Sequence, residues 1–324
     1  MFYTNSTLNR ADHLRSDSKS LNALQKSVDT RILPLWQNQS LISRATNTLQ
    51  PAACFLTQDY PLVQNNHEGL IFLGLCGETA YFALDVSNLN EAQSAELASH
   101  SVSSDRTPAG SNATFADLRT IGPALATEEG SLLAYARGLA YWNATSRFCA
   151  ECGNKLLSFN AGHAKRCSNE RCEHIVFPRT DPAVIMLVTH QSEPQAEEKC
   201  LLGRGTGWPE GRFSTLAGFV EAGESLEMAV QREVLEEASI RTTDVHYVAS
   251  QPWPFPRSIM LGFEATALNT EIKIDPIELA EAYWFTREQL RDFGEWSDDT
   301  PGYKLPRIDS IARHLIDRWV DGKT

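Results

Sequence analysis

The segment Gly218-Phe-Val-Glu-Ala-Gly-Glu-Ser-Leu-Glu-Met-Ala-Val-Gln-Arg-Glu-Val-Leu-Glu-Glu-Ala-Ser-Ile240 carries most of what this chain says about fold and chemistry. Its second half predicts a helix over Glu224–Ala238. At the helical period, Leu226, Ala229, Val230 and Val234 fall on one face. Glu233 and Glu237 fall on that same face, and Glu236 lies beside it. A run of glutamates on a helix is usually a solvated face with no function. Here two carboxylates point where the core should be, and a buried charge left uncompensated costs several kcal/mol.

Hard divalent cations are the natural remedy, because Mg2+ and Mn2+ favour carboxylate oxygens and keep water ligands. Spacings of three and four residues bring helical carboxylates close enough to share ions. Arg232 can hold a glutamate in position, and the glycine-rich loop from Gly218 to Gly223 lets backbone approach a metal or phosphate.

Around this segment, Ala183–Thr189, Tyr247–Gln251 and Ser258–Ala267 read as strands and Ile308–Trp319 as a closing helix. Strands and helices mix without the regular alternation of a doubly wound parallel sheet, which makes the module α+β. Ten residues beyond Ile240 comes Ser250-Gln-Pro-Trp-Pro-Phe-Pro-Arg-Ser258. Its three prolines fix φ and forbid helix, predicting a stiff extended segment with Trp253 and Phe255 on one side. Such a pair offers a stacking surface for a nicotinamide or adenine ring, with Arg257 and Ser258 in reach of phosphate. A packed loop, or a proline-rich ligand for another domain, is the competing reading.

Upstream, Cys149-x2-Cys152 and Cys167-x4-Cys172 supply four thiolates in two knuckles, as in a zinc ribbon. Four cysteines close the tetrahedron and leave no position for water, so the zinc is structural. Lys165, Arg166 and Arg171 are interspersed with Glu151, Glu170 and Glu173, so no basic face stands out in the sequence. Cys54, Cys76 and Cys200 read as simple thiols.

The net charge of −12 predicts a bulk surface that repels nucleic acid, so a polyanionic substrate must be held locally by cations and a few arginines. The longest apolar runs are too short to cross a bilayer. No apolar signal core is visible at the N-terminus, and cysteines at metal-ligand spacing suit a reducing compartment, so the expected location is the cytoplasm. Three parts are expected: 1–125, of unassigned function; 126–178, a linker helix and the zinc ribbon; and 179–324, the module bearing the glutamates. In the first part Gly77-Glu78 predicts a tight hairpin, and the stretch from Ser87 to Ala113 a mobile insertion.

The segment from Gly218 resembles the Nudix box: a glycine, a glutamate six residues on, then Arg-Glu-x-x-Glu-Glu. One position departs, with Ser239 where the family has glycine in a left-handed helix cap; serine there costs about 1 kcal/mol or shifts the cap. The resemblance implies an α/β/α sandwich with a mixed sheet. It implies Glu233 and Glu237 as metal ligands, with Glu236 a ligand or an orienter of water. Arg232, the Ala217 carbonyl and the more distant Glu281 complete the site. The zinc cysteines, the approach from Ala136 to Gly153 and the proline segment are similar to those of the NADH pyrophosphatases within that superfamily. This likeness covers about residues 128 to 320 and implies a dinucleotide site lined by Gln251, Pro252, Trp253, Pro254, Phe255, Pro256, Arg257, Ser258, Phe219, Phe177 and Ala312. Phe177 stands where a tyrosine is expected, and the second knuckle is longer than in some members. The implied activity is Mg2+- or Mn2+-dependent hydrolysis of NADH or NAD+ to nicotinamide mononucleotide and AMP, by a homodimer. Removal of NAD caps from RNA is a second implied use of the same site. Another nucleoside diphosphate substrate such as ADP-ribose, or a non-catalytic nucleotide sensor, stands as the alternative.

Overall fold

The computed structural model describes residues 1–44, 50–103, 113–193, 195–298 and 301–323. The chain divides into two compact units: one runs from Phe2 to Thr180 and includes Trp253–Arg257, and the other comprises Met1, Asp181–Pro252 and the chain from Ser258.

In the first unit, helix α1 (Ser18–Lys26) precedes strands β1 (Arg31–Trp36), β2 (Gln39–Arg44) and β3 (Pro51–Ala53). The short turn α2 (Pro61–Gln64) leads to β4 (Ile71–Cys76), β5 (Thr79–Asp85), helix α3 (Glu91–Ser99) and β6 (Ala113–Ala116). The short α4 (Leu118–Ile121) and long α5 (Thr127–Thr145) follow. The sheet order is β3-β2-β1-β5-β4 with β6 also on β2, and the hairpin predicted at Gly77-Glu78 pairs Cys76 with Thr79. Alternation along the strands serves both faces: Leu33, Leu35 and Ala83 enter one core, while Ile32, Phe82 and Leu84 enter the other.

Helix α5, which leads into the ribbon, buries Leu133, Ala136, Leu139, Ala140 and Trp142 in the first sheet's core. Its small residues lie beside large ones, which lets the helix seat closely on β-branched and aromatic strand residues. The stretch expected to be a mobile insertion contains α3, started by a capping box between Asn90 and Gln93 and anchored by buried Leu97 and Ala98. The remainder of that stretch, 104–112, lies outside the described residues. After α5 come β7 (Leu156–Phe159), β8 (Ala164–Cys167) and β9 (Ile175–Val176), a three-stranded antiparallel ribbon.

The second unit is built on β10 (Asp181–His190), followed by β11 (Lys199–Gly205) and β12 (Leu216–Phe219). Helix α6 (Leu226–Ala238) leads to β13 (Thr242–Trp253), β14 (Ser258–Ala267) and β15 (Leu279–Thr286). The chain closes with α7 (Arg287–Arg291), the two-residue strands β16 (Gly294–Glu295) and β17 (Lys304–Leu305), and α8 (Ile311–Val320). The sheet order is β13-β14-β10-β11-β15, and β12 shares the edge of β10 with β11. Strand β10 runs parallel to β14 and antiparallel to β11 and β12, so the sheet is mixed. Its side chains alternate between layers. Val184, Met186 and Val188 pack towards Ala229, Val230 and Val234 of α6. Ile185 and Leu187 pack towards Leu315, Ile316 and Trp319 of α8. A helix therefore covers each face, giving the expected α/β/α sandwich. Among the described residues, no helix is long and apolar enough to cross a membrane.

Candidate active site and metal centre

Strand β12 and helix α6 place the glutamates. Ser225 caps the helix, its Oγ accepting from the Met228 N–H at 3.2 Å, which sets the phase of everything after it. Glu233 and Glu237 then fall on the inward face, only 8% and 5% exposed. Glu233 lies directly against β12: a Cβ added to Gly218 would stand 1.8 Å from the Glu233 Cδ. Glycine at 218 is therefore required by the carboxylate beside it. Gly218 is itself fixed opposite Val184 of β10, so the central sheet sets the position of the carboxylate.

Arg232 organises the group. Its Nε and Nη2 donate to the two oxygens of Glu224 at 2.7 and 3.0 Å, a bidentate pair. Nη2 also donates to the Phe219 carbonyl at 2.9 Å, while Nη1 meets Glu233 at 2.9 Å and Glu236 at 3.0 Å. The Glu224 contact, chief among these, raises the arginine's pKa and lowers that of Glu224. Glu224 was not among the sequence-derived site residues, although a glutamate eight positions before an arginine, across a glycine loop, is the available signal.

Burial raises the Glu233 carboxyl, with Arg232 opposing. For Glu237 burial acts with the charges of Glu233, Glu278 and Glu236, and its carboxyl is pushed up to about 8. Glu236 keeps an exposed side chain. Ala217 is exposed on β12. Glu281, the more distant acid of the expected set, accepts at Oε1 from Arg204 Nη2 at 2.8 Å across β11 and β15. The charge of Glu278, three residues earlier, is among those acting on Glu237.

The four ribbon cysteines do converge. Their sulfurs all lie within 4.8 Å of one another, with Cys149–Cys172 at 3.8 Å and Cys152–Cys167 at 3.4 Å. A tetrahedron with metal–sulfur bonds of about 2.3 Å has edges of about 3.8 Å, so the set fits zinc. Among the described residues no other cluster of this tightness occurs, the glutamates included. Gly153 takes a φ of 72° in the first knuckle. Asn154 directs its amide groups at Cys152, whose thiol is drawn down to about 6. Cys54 and Cys200 are buried thiols pushed up by burial, and Cys76 is exposed.

The proline segment is not extended. β13 ends at Trp253, residues 254–257 form a turn, and β14 begins at Ser258. The rings of Trp253 and Phe255 meet edge to face, 5.1 Å apart at 78°, rather than side by side. Phe255 is clamped within the first unit. The Arg119 and Arg137 guanidiniums lie 4.9 and 5.1 Å from its centroid, and Arg137 Nε donates to the Pro254 carbonyl at 2.9 Å. Gln251 is fully buried, donating to the Asp309 carbonyl and accepting from the Ile311 N–H. Ala312 is buried beside it on α8. Pro252 and Pro256 are exposed, Pro254 is buried, and Arg257 and Ser258 are half-buried. Phe177 and Phe219 expose 67% and 60% of their surface.

Residues 179–305 match the family described as NUDIX domain, and residues 29–142 match the NADH pyrophosphatase-like rudimentary NUDIX domain. Nudix hydrolase 19, chloroplastic, of Arabidopsis thaliana is 36% identical over 90% of this chain and 72% of its own. Human NAD-capped RNA hydrolase NUDT12 is 41% identical over 60% of this chain and 43% of its own. NAD-capped RNA hydrolase NudC of Mycobacterium bovis is 41% identical over 63% of this chain and 64% of its own. The chain thus spans less than half the length of the first of these capped-RNA hydrolases and a little under two thirds of the second.

Proposed function

The chain belongs to the Nudix hydrolase family, and from that premise we propose that it hydrolyses the diphosphate of NADH or NAD+, releasing nicotinamide mononucleotide and AMP. The observation that carries this is the buried Glu237 carboxyl, pushed up to about 8 beside Glu233 and Glu278. A core position that unfavourable to a lone carboxylate is suited to a hard cation. Glu233 and Glu237 would hold Mg2+ or Mn2+, with Glu236, Glu281 and the Ala217 carbonyl as further oxygen donors, and the charge of Glu278 adds to the acidic group. When bound, such cations neutralise charge on a diphosphate and acidify water.

The chain's own residues do the rest. Arg232 locks Glu224, Glu233 and Glu236 into one arrangement, so the carboxylates need not reorganise when substrate arrives. Exposed Glu236 is available to orient water or take its proton. The rings of Phe177, Phe219 and Trp253, with Arg257 and Ser258, are proposed as contacts for the substrate, on the strength of the family likeness. Gln251 and Ala312 are proposed, on the same likeness, to line the dinucleotide site. Zinc on the four cysteines holds the ribbon. The names of the NUDT12 and NudC relatives support NAD-capped RNA as a second substrate. Assembly as a homodimer is part of the same reading, and cysteine usage supports a cytoplasmic location.

The test is purified protein with Mg2+ or Mn2+ and equal NADH, NAD+ and ADP-ribose, with products separated by chromatography. AMP released preferentially from NADH or NAD+ supports the assignment, while equal cutting of ADP-ribose would leave only general Nudix chemistry. Full turnover by Glu237→Gln at saturating Mg2+ would refute the proposed site.

A further inference from the structure

One side of the ribbon sheet is left open, and its composition is unlike that of the rest of the molecule. Leu157 pairs with Arg166, and Phe159 lies two residues further along the same strand, so all three share a side. The bridge between Phe148 and Lys155 extends that side at one end. Phe177, two residues beyond the Ile175 that pairs with Arg166, extends it at the other. Phe148, Leu157 and Phe177 are 61%, 57% and 67% exposed, large apolar side chains on β7 and at the two margins of the ribbon. The Arg166 guanidinium lies over the Phe159 ring, 4.4 Å from its centroid. The opposite side is closed: Lys165 is buried under donations to the Asn143 and Ser146 carbonyls, Cys167 belongs to the thiol cluster, and Val176 packs on the first unit's core.

Charge separates this face from its surroundings. From Arg147 to Arg179 the sequence holds six Lys and Arg against three Glu, in a chain of net charge −12. All of those cations except Lys165 are exposed. Exposed rings interleaved with cations, on an open sheet, make a surface on which bases stack and phosphates are neutralised. We propose that this face binds the single-stranded RNA body of an NAD-capped transcript, with bases against Phe148, Leu157 and Phe177 and phosphates towards Lys155 and Arg166. This rests on the dinucleotide-hydrolase reading, since it supplies the contacts that a capped RNA makes and a free dinucleotide does not.

The experiment compares the full-length protein with its Lys155→Gln/Arg166→Gln variant. Cleavage of a 5′-NAD-capped RNA should fall by about ten-fold in kcat/KM at moderate salt, with NADH hydrolysis unchanged. Binding of an uncapped ten-nucleotide RNA, measured by fluorescence anisotropy without divalent metal, should lose about 1.4 from its log–log salt slope for two phosphate contacts removed. Equal effects on capped RNA and NADH, or no effect on either RNA measurement, would overturn the proposal. So would a change in sedimentation of the variant, which assigns the face to a second copy of the chain. If the wild type cuts no dinucleotide, the hydrolase reading alone fails, because uncapped RNA binding still decides what this face does.

Discussion

Gly218 is the residue on which the site depends most directly. Any side chain there collides with the Glu233 carboxylate, so Gly218→Ala must push that carboxylate out of its place against β12. It should cost about 1–3 kcal/mol by urea denaturation and abolish turnover, while zinc content stays intact. Ser239 has the opposite standing. It adopts the left-handed cap the family reserves for glycine, at φ 59°, and its Oγ donates to the Lys273 carbonyl at 3.0 Å. Relief of strain and loss of that bond are each worth about 1 kcal/mol, so Ser239→Gly should leave the unfolding midpoint nearly unchanged. His163 makes a pH-dependent contribution. Burial first, then Arg15 and Arg10, hold it down to about 4, with Asp12 opposing, while its Nε2 lies 2.6 Å from the Phe72 carbonyl. As pH falls below 6.5 the unfolded chain takes a proton that the folded one refuses, so stability is lost between about 6.5 and 4. That loss should reach about 2 kcal/mol after allowance for partial exposure, and a His163→Gln variant should lack it when denaturation is followed across that range. Glu233 and Glu237 could be read from the sequence because helical phase is local. The ion pair of Glu281 could not be read, because its partner Arg204 lies seventy-seven positions away.

At the level of elements, α6 shows why so much was legible: a Ser cap, an apolar stripe and a glutamate motif lie in one continuous segment and agree. The turn after Trp253 shows the limit. Alternating prolines fix φ but not the direction of the chain, and Arg119 and Arg137, distant in sequence, bend the segment back around Phe255. Arg137→Ala removes hydrogen bonds to the Pro254 and Asn38 carbonyls and a ring contact, and should raise KM for NADH several-fold while leaving kcat within about two-fold. Lys in place of Arg137 should not restore KM, because it lacks the planar fork. Helix α5 was legible by its periodicity, but its seat was not, since an apolar stripe does not say which sheet it will cover. Its burial predicts that Leu139→Ala costs about 2–5 kcal/mol, measured by thermal melting.

For the molecule as a whole, the sequence announced the sandwich around α6 and the ribbon, because each has a dense local signature. The sheet of the first unit had none, and only its hairpin at Gly77-Glu78 was readable beforehand. Its two cores come from ordinary alternation of Ile, Leu and Phe, which names no family to the eye. Removing metal should separate the two proposed ion roles. A thiol-reactive zinc release should lower the melting temperature of the whole protein irreversibly, whereas EDTA should stop turnover and leave the melt nearly unchanged. One consequence follows from the way the chain leaves the second unit at Trp253 and rejoins it at Ser258. No single cut can separate the two units cleanly. A fragment beginning at residue 179 would carry a five-residue tab, Trp-Pro-Phe-Pro-Arg, cut off from the arginines that wrap it, and its partner fragment would have a vacancy in the same shape. The two halves are therefore inherited as a pair: an insertion, a fusion or a recombination at the boundary near residue 180 succeeds only if the sequence seventy residues downstream comes with it.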